Sequence, residues 1–303
     1  MIDVVNLYKS YKSKKETTTI LNGVNLHVPD GCVFGVIGGN GTGKTTFLNC
    51  LSGTCRQDLG EVKVDGKDIR AIREVPNVVG FVQDVYAGFP YMTGKEYLEY
   101  LGECAALPKE MIMARIEVLS QLFGMEKALN RISAYYSKGM KQKLSVMAVL
   151  LGNPKVVLMD EPTSNLDPSS KEEMKEVFKN LKQSKKSIII TTNSLYDVEN
   201  YCDAIAFLKN GEISAPILVE DIASSEREGV IIKGDIEKLH AAYVKLAEHG
   251  VQAALNKDGL VVVCDTKDSY SIVEIIKENN IDVDGIITYK ESFRDAFMRE
   301  VKK

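Results

Sequence analysis

Two hydrophobic periodicities alternate along the chain. From Met1 to about Gly66, short apolar and β-branched runs, among them VNLHVPDG, CVFGVIGG and EVKVDGKD, are broken by Gly, Pro, Asp and Asn. That punctuation predicts a strand-rich beginning. Between about Tyr91 and Leu151 the spacing changes: EYLEYLGECAAL and ARIEVLSQLFGM carry apolar residues three and four apart, as amphipathic helices require. KVVLMD and SIIITT follow, apolar without alternation and separated by a helical stretch from about Pro168 to Leu181. Uninterrupted apolar strands with a helix between them are the pattern of a parallel sheet covered on both faces, so this part of the chain is read as α/β.

After Ala215 come Pro216 and the polar stretch ASSEREG, which predict a boundary between a first domain, 1–214, and a second, 215–303. The second reads as strand GVIIKG, helix DIEKLHAAYVKLAEHG, strand VQAAL, turn NKDG, strand LVVVCD, helix SYSIVEIIKENN, strand VDGIITY and a last helix ESFRDAFMREV. In its first helix Ile236, Leu239, His240, Tyr243, Leu246 and Ala247 are expected on one buried stripe, with Gly250 as the C-terminal cap. The βαββαβ order suggests a small ferredoxin-like layer.

A length of 303 residues agrees with about two domains, and 45% apolar with 26% charged residues is the composition of a globular chain. Lys and Arg number 38 against 42 Asp and Glu, a net charge of −4 that lacks the basic excess of a phosphate-backbone binder, so no nucleic-acid partner is expected. No apolar run approaches the roughly 18 residues of a membrane span. The start has lysines but no apolar stretch behind them, and the cytoplasm is the expected compartment. Cys32, Cys50, Cys55, Cys104, Cys202 and Cys264 are scattered without CxxC spacing and read as free thiols.

The chemistry concentrates in three places. Gly38-Gly39-Asn40-Gly41-Thr42-Gly43-Lys44-Thr45 directly follows the apolar run VFGVI and fits G-x-x-x-x-G-K-[ST], with Thr46 behind it. Glycines let such a loop turn its N–H groups toward a phosphate, while the next helix offers its positive end. Lys44 adds a point charge, and the Thr45 hydroxyl can ligate Mg²⁺. Downstream, VVLMD places Asp160 and Glu161 at the end of a buried strand, with Pro162 stopping it. Asp160 can complete the Mg²⁺ shell and Glu161 can orient an attacking water. Between them, Tyr136-Ser137-Lys138-Gly139-Met140 opens the apolar helix LSVMAVLLG. Ser137 and Gly139 there either cap the helix or present a hydroxyl and N–H groups to a phosphate.

Loop, helical insert, polar turn and Asp-Glu pair together resemble the ATP-binding cassette (ABC) family over about residues 1–213. The resemblance implies a P-loop NTPase fold, an ABC-type nucleotide-binding domain with a helical insert at about 85–152. Ser137-Lys138-Gly139-Met140 looks like an exporter-type SKGM variant of the family's signature. Residues 38–46, Ser137, Gly139 and Met140 are then implied as ATP contacts, and Tyr11 as the aromatic that stacks on adenine. Ser164-Asn165-Leu166-Asp167 matches the D-loop; Asp167 with Pro168 also reads as a helix N-cap and first helical residue.

Two positions depart from the family pattern. Register puts Asp84 where the family has Gln or Glu, with Gln83 one residue earlier, and either is a candidate to reach Mg²⁺ or the attacking water. Asn193 stands at the switch histidine, and none of His27, His240 and His249 can replace it by position. Asn donates a hydrogen bond but relays no proton near neutral pH, so slow hydrolysis is expected. The resemblance implies an ATPase that uses ATP and Mg²⁺, pairs with a second cassette and drives a separate transmembrane permease, peripheral on the inner face of the cell membrane. Export is favoured over import. The alternatives are a low-turnover regulatory subunit paired with a catalytically complete cassette, or a soluble ATPase acting on ribosomes or DNA.

Overall fold

In the computed structural model the described residues are 1–13, 16–72, 78–83, 88–164, 166–224, 228–264 and 269–300. Strands β1 (Ile2–Lys12) and β2 (Thr17–Val28) pair antiparallel, and β3 (Val33–Ile37) leads through a glycine-rich loop into helix α1 (Lys44–Leu51). β4 (Leu59–Val64), β5 (Lys67–Asp68) and the helical turn α2 (Ile69–Ile72) precede β6 (Val79–Val82). Three helices of the insert follow: α3 (Gly94–Cys104), α4 (Lys109–Phe123) and α5 (Lys138–Leu151). The chain then alternates through β7 (Val156–Asp160), α6 (Pro168–Gln183), β8 (Ser187–Thr192), α7 (Leu195–Tyr201) and β9 (Ala204–Lys209), closing with the short β10 (Glu212–Ile213) and β11 (Ile217–Leu218).

Two sheets organise this unit. β2-β1-β4-β5 is antiparallel, whereas β9-β3-β8-β7-β6 is parallel, with β10 and β11 added antiparallel on β9. Every residue of β7 and β8 is buried, which is why neither sequence alternates. One core joins the sheets: Leu7, Leu21 and Val24 of the antiparallel layer and Phe34, Leu158 and Ile189 of the parallel one share it with Phe47, Leu48 and Leu51 of α1. The helix that follows the glycine loop is therefore held on both sides, and its first turn is a fixed platform.

The helical insert is set by local signals. Thr93 and Glu96 form a reciprocal capping box at the start of α3, with Glu96 N–H donating to Thr93 Oγ1 at 3.1 Å and Thr93 N–H to Glu96 Oε2 at 2.8 Å. Lys143 of α5 donates to the Phe123 carbonyl at the end of α4 and pairs with Glu173 of α6, so one ammonium ties the three helices together.

The chain divides into two compact units, Met1–Val219 and Glu220–Lys303. Pro216, read from the sequence as the boundary, lies inside the first unit because Ile217 and Leu218 pair with Ile205 and Ala204 of β9. After α8 (Val219–Ser224), the second unit contains β12 (Glu228–Lys233), α9 (Ile236–Glu248), β13 (Ala253–Asn256), β14 (Gly259–Val263), α10 (Ser269–Glu278), β15 (Gly285–Lys290) and α11 (Phe293–Glu300). Its sheet is antiparallel in the order β13-β14-β12-β15. Val230, Ile232, Leu260 and Val262 of the sheet pack with Leu239, Ala242 and Leu246 of α9 and Ile272 and Ile276 of α10. Of the stripe expected on α9, Leu239 and Leu246 are buried, whereas Ile236, His240, Tyr243 and Ala247 are exposed and the small Ala242 joins the contact instead. Periodicity identified the helix, but two apolar faces competed and the sheet selected the one that lets α9 approach closely.

Replacing Thr93 by Ala removes one side of the capping box and is expected to cost about 1 kcal/mol of stability, while Thr93→Ser costs little of it. Urea unfolding of the two variants against the parent chain checks this.

Candidate nucleotide-binding site

The parallel strands β3, β7 and β8 end side by side, and the loops leaving them meet at one edge of the sheet. Such a carboxyl edge is where open α/β sheets bind ligands. After Ile37 the loop turns on itself, with Thr42 Oγ1 donating to the Gly39 carbonyl at 2.9 Å. Gly43 caps α1 at φ 102°, and a β-carbon there would stand 2.7 Å from Ile20 Cγ2. Only glycine meets both the dihedral and the space.

Lys44, at 6% exposure, donates from Nζ to the carbonyls of Gly38 at 2.8 Å and Gly39 at 3.2 Å, and lies 3.4 Å from Glu161 Oε1. Thr45 Oγ1 donates to Asp160 Oδ2 at 2.7 Å, while the other Asp160 oxygen accepts from the Thr191 hydroxyl at the end of β8. Glu161 adopts φ 45°, unusual for a side-chain-bearing residue and costly by about 1–3 kcal/mol. Its N–H is held by Thr191, at 3.0 Å from the carbonyl and 3.2 Å from Oγ1. Thr191 therefore fixes both acidic residues at once.

These groups surround a cavity of about 380 Å³ lined by Asn40, Gly41, Gly43, Lys44, Thr45 and Thr46 of the loop and helix, Asp160 and Glu161 of the strand end, and Ile20 of β2. The loop, the helix N-terminus and Lys44 make one wall electropositive, and the two carboxylates face it. A polyphosphate fits the first wall. Thr45 and Asp160 place two hard oxygen donors 2.7 Å apart beside it, suited to Mg²⁺, which takes few protein ligands and completes its octahedron with phosphate and water.

The other residues singled out from sequence are distributed around this centre. Tyr11, on β1, is 46% exposed, with its hydroxyl 3.7 Å from Cys55 Sγ and Lys9 Nζ 5.3 Å from its ring centre. The Cys55 contact, followed by partial burial, raises the Tyr11 hydroxyl above its usual pKa. Ser137 accepts from Met140 N–H at 3.2 Å and so caps α5, while Gly139 sits so close to α6 that a β-carbon would stand 2.8 Å from Ser170 Oγ. Ser137, Gly139 and Met140 do not line the phosphate cavity. Neither does Gln83, which instead lines a separate groove of about 320 Å³ with Tyr97, Leu101, Ser145 and Val149 of the helical insert. Asp84 and Asn165 lie outside the described residues. Asn193 is exposed on the turn between β8 and α7, and Asp167 caps α6 by accepting from Ser170 N–H at 3.0 Å.

Sequence reasoning passed over Thr191 and Ile20. A signal for Thr191 was present, because it is a hydroxyl at the end of an otherwise apolar run; nothing in the sequence pointed from β2 to Ile20.

Residues 21–164 match the family model described as "ABC transporter". The ABC transporter ATP-binding protein NatA of Bacillus subtilis (strain 168) is 33% identical over 229 residues, 75% of this chain and 93% of NatA. The linearmycin resistance ATP-binding protein LnrL of the same organism is 30% identical over 80% of this chain and 78% of its own length. Among solved structures, the dimeric MJ0796, a bacterial ABC transporter cassette, superposes with a TM-score of 0.65 at 26% identity, over 72% of this chain and 98% of that one. Among the described residues no helix is long and apolar enough to cross a membrane.

Lys44→Ala removes the charged donor from the electropositive wall without opening the core. Loss of a charged hydrogen bond is worth about 1.5–3 kcal/mol, so nucleoside triphosphate affinity is expected to fall by roughly tenfold to a hundredfold in a fluorescent-nucleotide titration.

Proposed function

Because this chain belongs to the ABC transporter family, as an ATP-binding subunit of the ATPase class, we propose that it hydrolyses ATP to drive a separate membrane-spanning permease, in the direction of export. The observation that carries the reading is the convergence of Lys44, Thr45, Asp160 and Glu161 on one 380 Å³ cavity. In this reading Lys44 exchanges its contacts with the Gly38 and Gly39 carbonyls for the β- and γ-phosphates, Thr45 and Asp160 hold Mg²⁺, and Glu161 orients and deprotonates the attacking water. Mg²⁺, when bound, supplies charge neutralisation across the phosphates. The strain at Glu161, held by Thr191, keeps its carboxylate aimed at the cavity instead of continuing the strand.

The exposed Tyr11 ring offers adenine a stacking face. Ser137, Gly139 and Met140 stand outside their own chain's cavity, which agrees with a site completed by the signature turn of a second cassette. The dimeric state named for MJ0796 supports that pairing. Nucleotide-dependent closing and opening of the pair is then the two-state element passed to the permease, through the groove that Gln83 shares with the helical insert, at the inner face of the membrane. Export draws on the SKGM form of the turn and on a relative named for resistance to linearmycin. The antiparallel order β13-β14-β12-β15 supports a ferredoxin-like reading of the second unit.

A second reading is favoured by one residue. Asn193 offers an amide where a histidine would relay a proton, so turnover is proposed to be slow, and in the limit the chain acts as a regulatory partner of a complete cassette.

Glu161→Gln is expected to leave ATP affinity unchanged and abolish phosphate release, measured with the chain co-expressed with its permease. Asn193→His in the same assay is expected to raise the rate. An unchanged or lower rate would show that the amide is not what limits turnover.

A further inference from the structure

One buried carboxylate takes no part in the mechanism above. Asp197, in the first turns of α7, is 1% exposed, and its two oxygens are bound by two threonine hydroxyls from different segments. Thr163 Oγ1 donates to Oδ1 at 2.5 Å, and Thr192 Oγ1 donates to Oδ2 at 2.6 Å. Thr192 Oγ1 in turn accepts from Ser194 N–H at 2.9 Å, which folds the turn carrying Asn193. Thr163 is two residues beyond Glu161, and Ser164 N–H donates to the Glu161 carbonyl at 3.2 Å. A continuous chain of hydrogen bonds thus runs from Ser194 through Thr192, Asp197 and Thr163 to the segment that holds Glu161.

The surroundings are closed to solvent and otherwise apolar, so the carboxylate is tolerated there through its two hydroxyl partners. Thr163 and Thr192 are as buried as Asp197, and Val198 and Tyr201 of the same helix are core residues. An apolar side chain of this size would fill the place without the cost of desolvating a carboxylate. What the carboxylate supplies is a rigid two-ended acceptor that ties two loops to one another. The Asn193 turn and the Glu161 segment leave neighbouring parallel strands, β8 and β7; Thr191 already holds Glu161 at the strand ends, and Asp197 adds the link beyond them, between the Asn193 turn and Thr163.

We propose that Asp197 is a positioning residue for ATP hydrolysis, a strap that fixes the Asn193 turn relative to Glu161. The inference rests on the ATPase reading above. A short amide cannot compensate for a displaced turn as a longer imidazole can, so a chain with Asn193 depends on the strap for any contact of that amide with the γ-phosphate.

The test uses the full chain with its permease, and the variants Thr163→Val, Asp197→Leu and the two combined. Thr163→Val is close to isosteric and keeps the fold, so it carries the test even where Asp197→Leu does not fold. Misplacement of groups around a reacting centre costs on the order of tenfold to a hundredfold in rate, and kcat is expected to fall by that much while KM for ATP moves less than about threefold. The double variant is expected to be no worse than Asp197→Leu, because both changes cut one strap. Hydrogen exchange at residues 192–196 is expected to quicken about tenfold in Thr163→Val, a readout that does not depend on turnover. Unchanged kcat and exchange in Thr163→Val, or kcat and KM worsening together with the melting temperature, would overturn the strap. Absence of hydrolysis in the parent chain with its permease would instead overturn the ATPase reading, leaving the exchange result to judge the strap alone, and hydrolysis surviving in Glu161→Gln would show that another group is the base.

Discussion

The site depends on the hydrogen bonds that converge on Asp160. Its carboxylate is buried at the end of β7, where it must be paired to be tolerated, and its partners are hydroxyls from two other elements, Thr45 of α1 and Thr191 of β8. The pairing of Asp160 with Thr191 across parallel strands is a matter of register. A slip of one residue would turn Thr191 to the opposite face and remove both the partner of Asp160 and the anchor of Glu161. Every residue of β7 and β8 is buried, so such a slip would also leave these polar groups in the core without their partners, and core packing and the placement of two acidic groups are one constraint seen from two ends.

Around that centre, each neighbouring element has a local reason for its position. α1 is clamped between the antiparallel and parallel sheets, which fixes the helix end that faces the cavity. The polar turn at Ser137 is committed to capping α5, and Gly139 to close packing on α6, so the turn presents itself outward from its own chain. Lys143 carries the link onward by joining α4, α5 and α6. The helical insert is thereby joined to α6, the helix that follows the Glu161 segment.

Asn193 and Glu161 sit on adjoining loops with unlike restraints. Glu161 is fixed in a strained conformation by its N–H donating to the carbonyl and hydroxyl of Thr191, whereas Asn193 is exposed and placed through its neighbours Thr192 and Ser194. The Glu161 carboxylate is set by the sheet itself. The amide is set by side chains, and its place is correspondingly sensitive to single substitutions nearby.

Much of this was legible in the sequence where chemistry and local structure coincide. The phosphate loop, the strand ending at Asp160-Glu161, the Asp167-Pro168 helix start and the buried parallel strands all follow from short-range rules of glycine dihedrals, capping and apolar patterning, and these rules act within a few residues. What the sequence could not determine was which distant hydroxyls would meet the carboxylates. Thr191 beside Asp160, Thr163 on Asp197, and Ile20 over the loop are contacts between segments tens of residues apart, selected by strand order and register. The same holds for α9, whose period was plain but whose buried face was settled by the sheet against it, and for Ser137, where sequence left cap and phosphate ligand both open and the structure shows the cap, outside its own chain's cavity. Local propensity is encoded residue by residue. The meeting of side chains is a property of the packed whole, because burial decides it only after every element has found its neighbours.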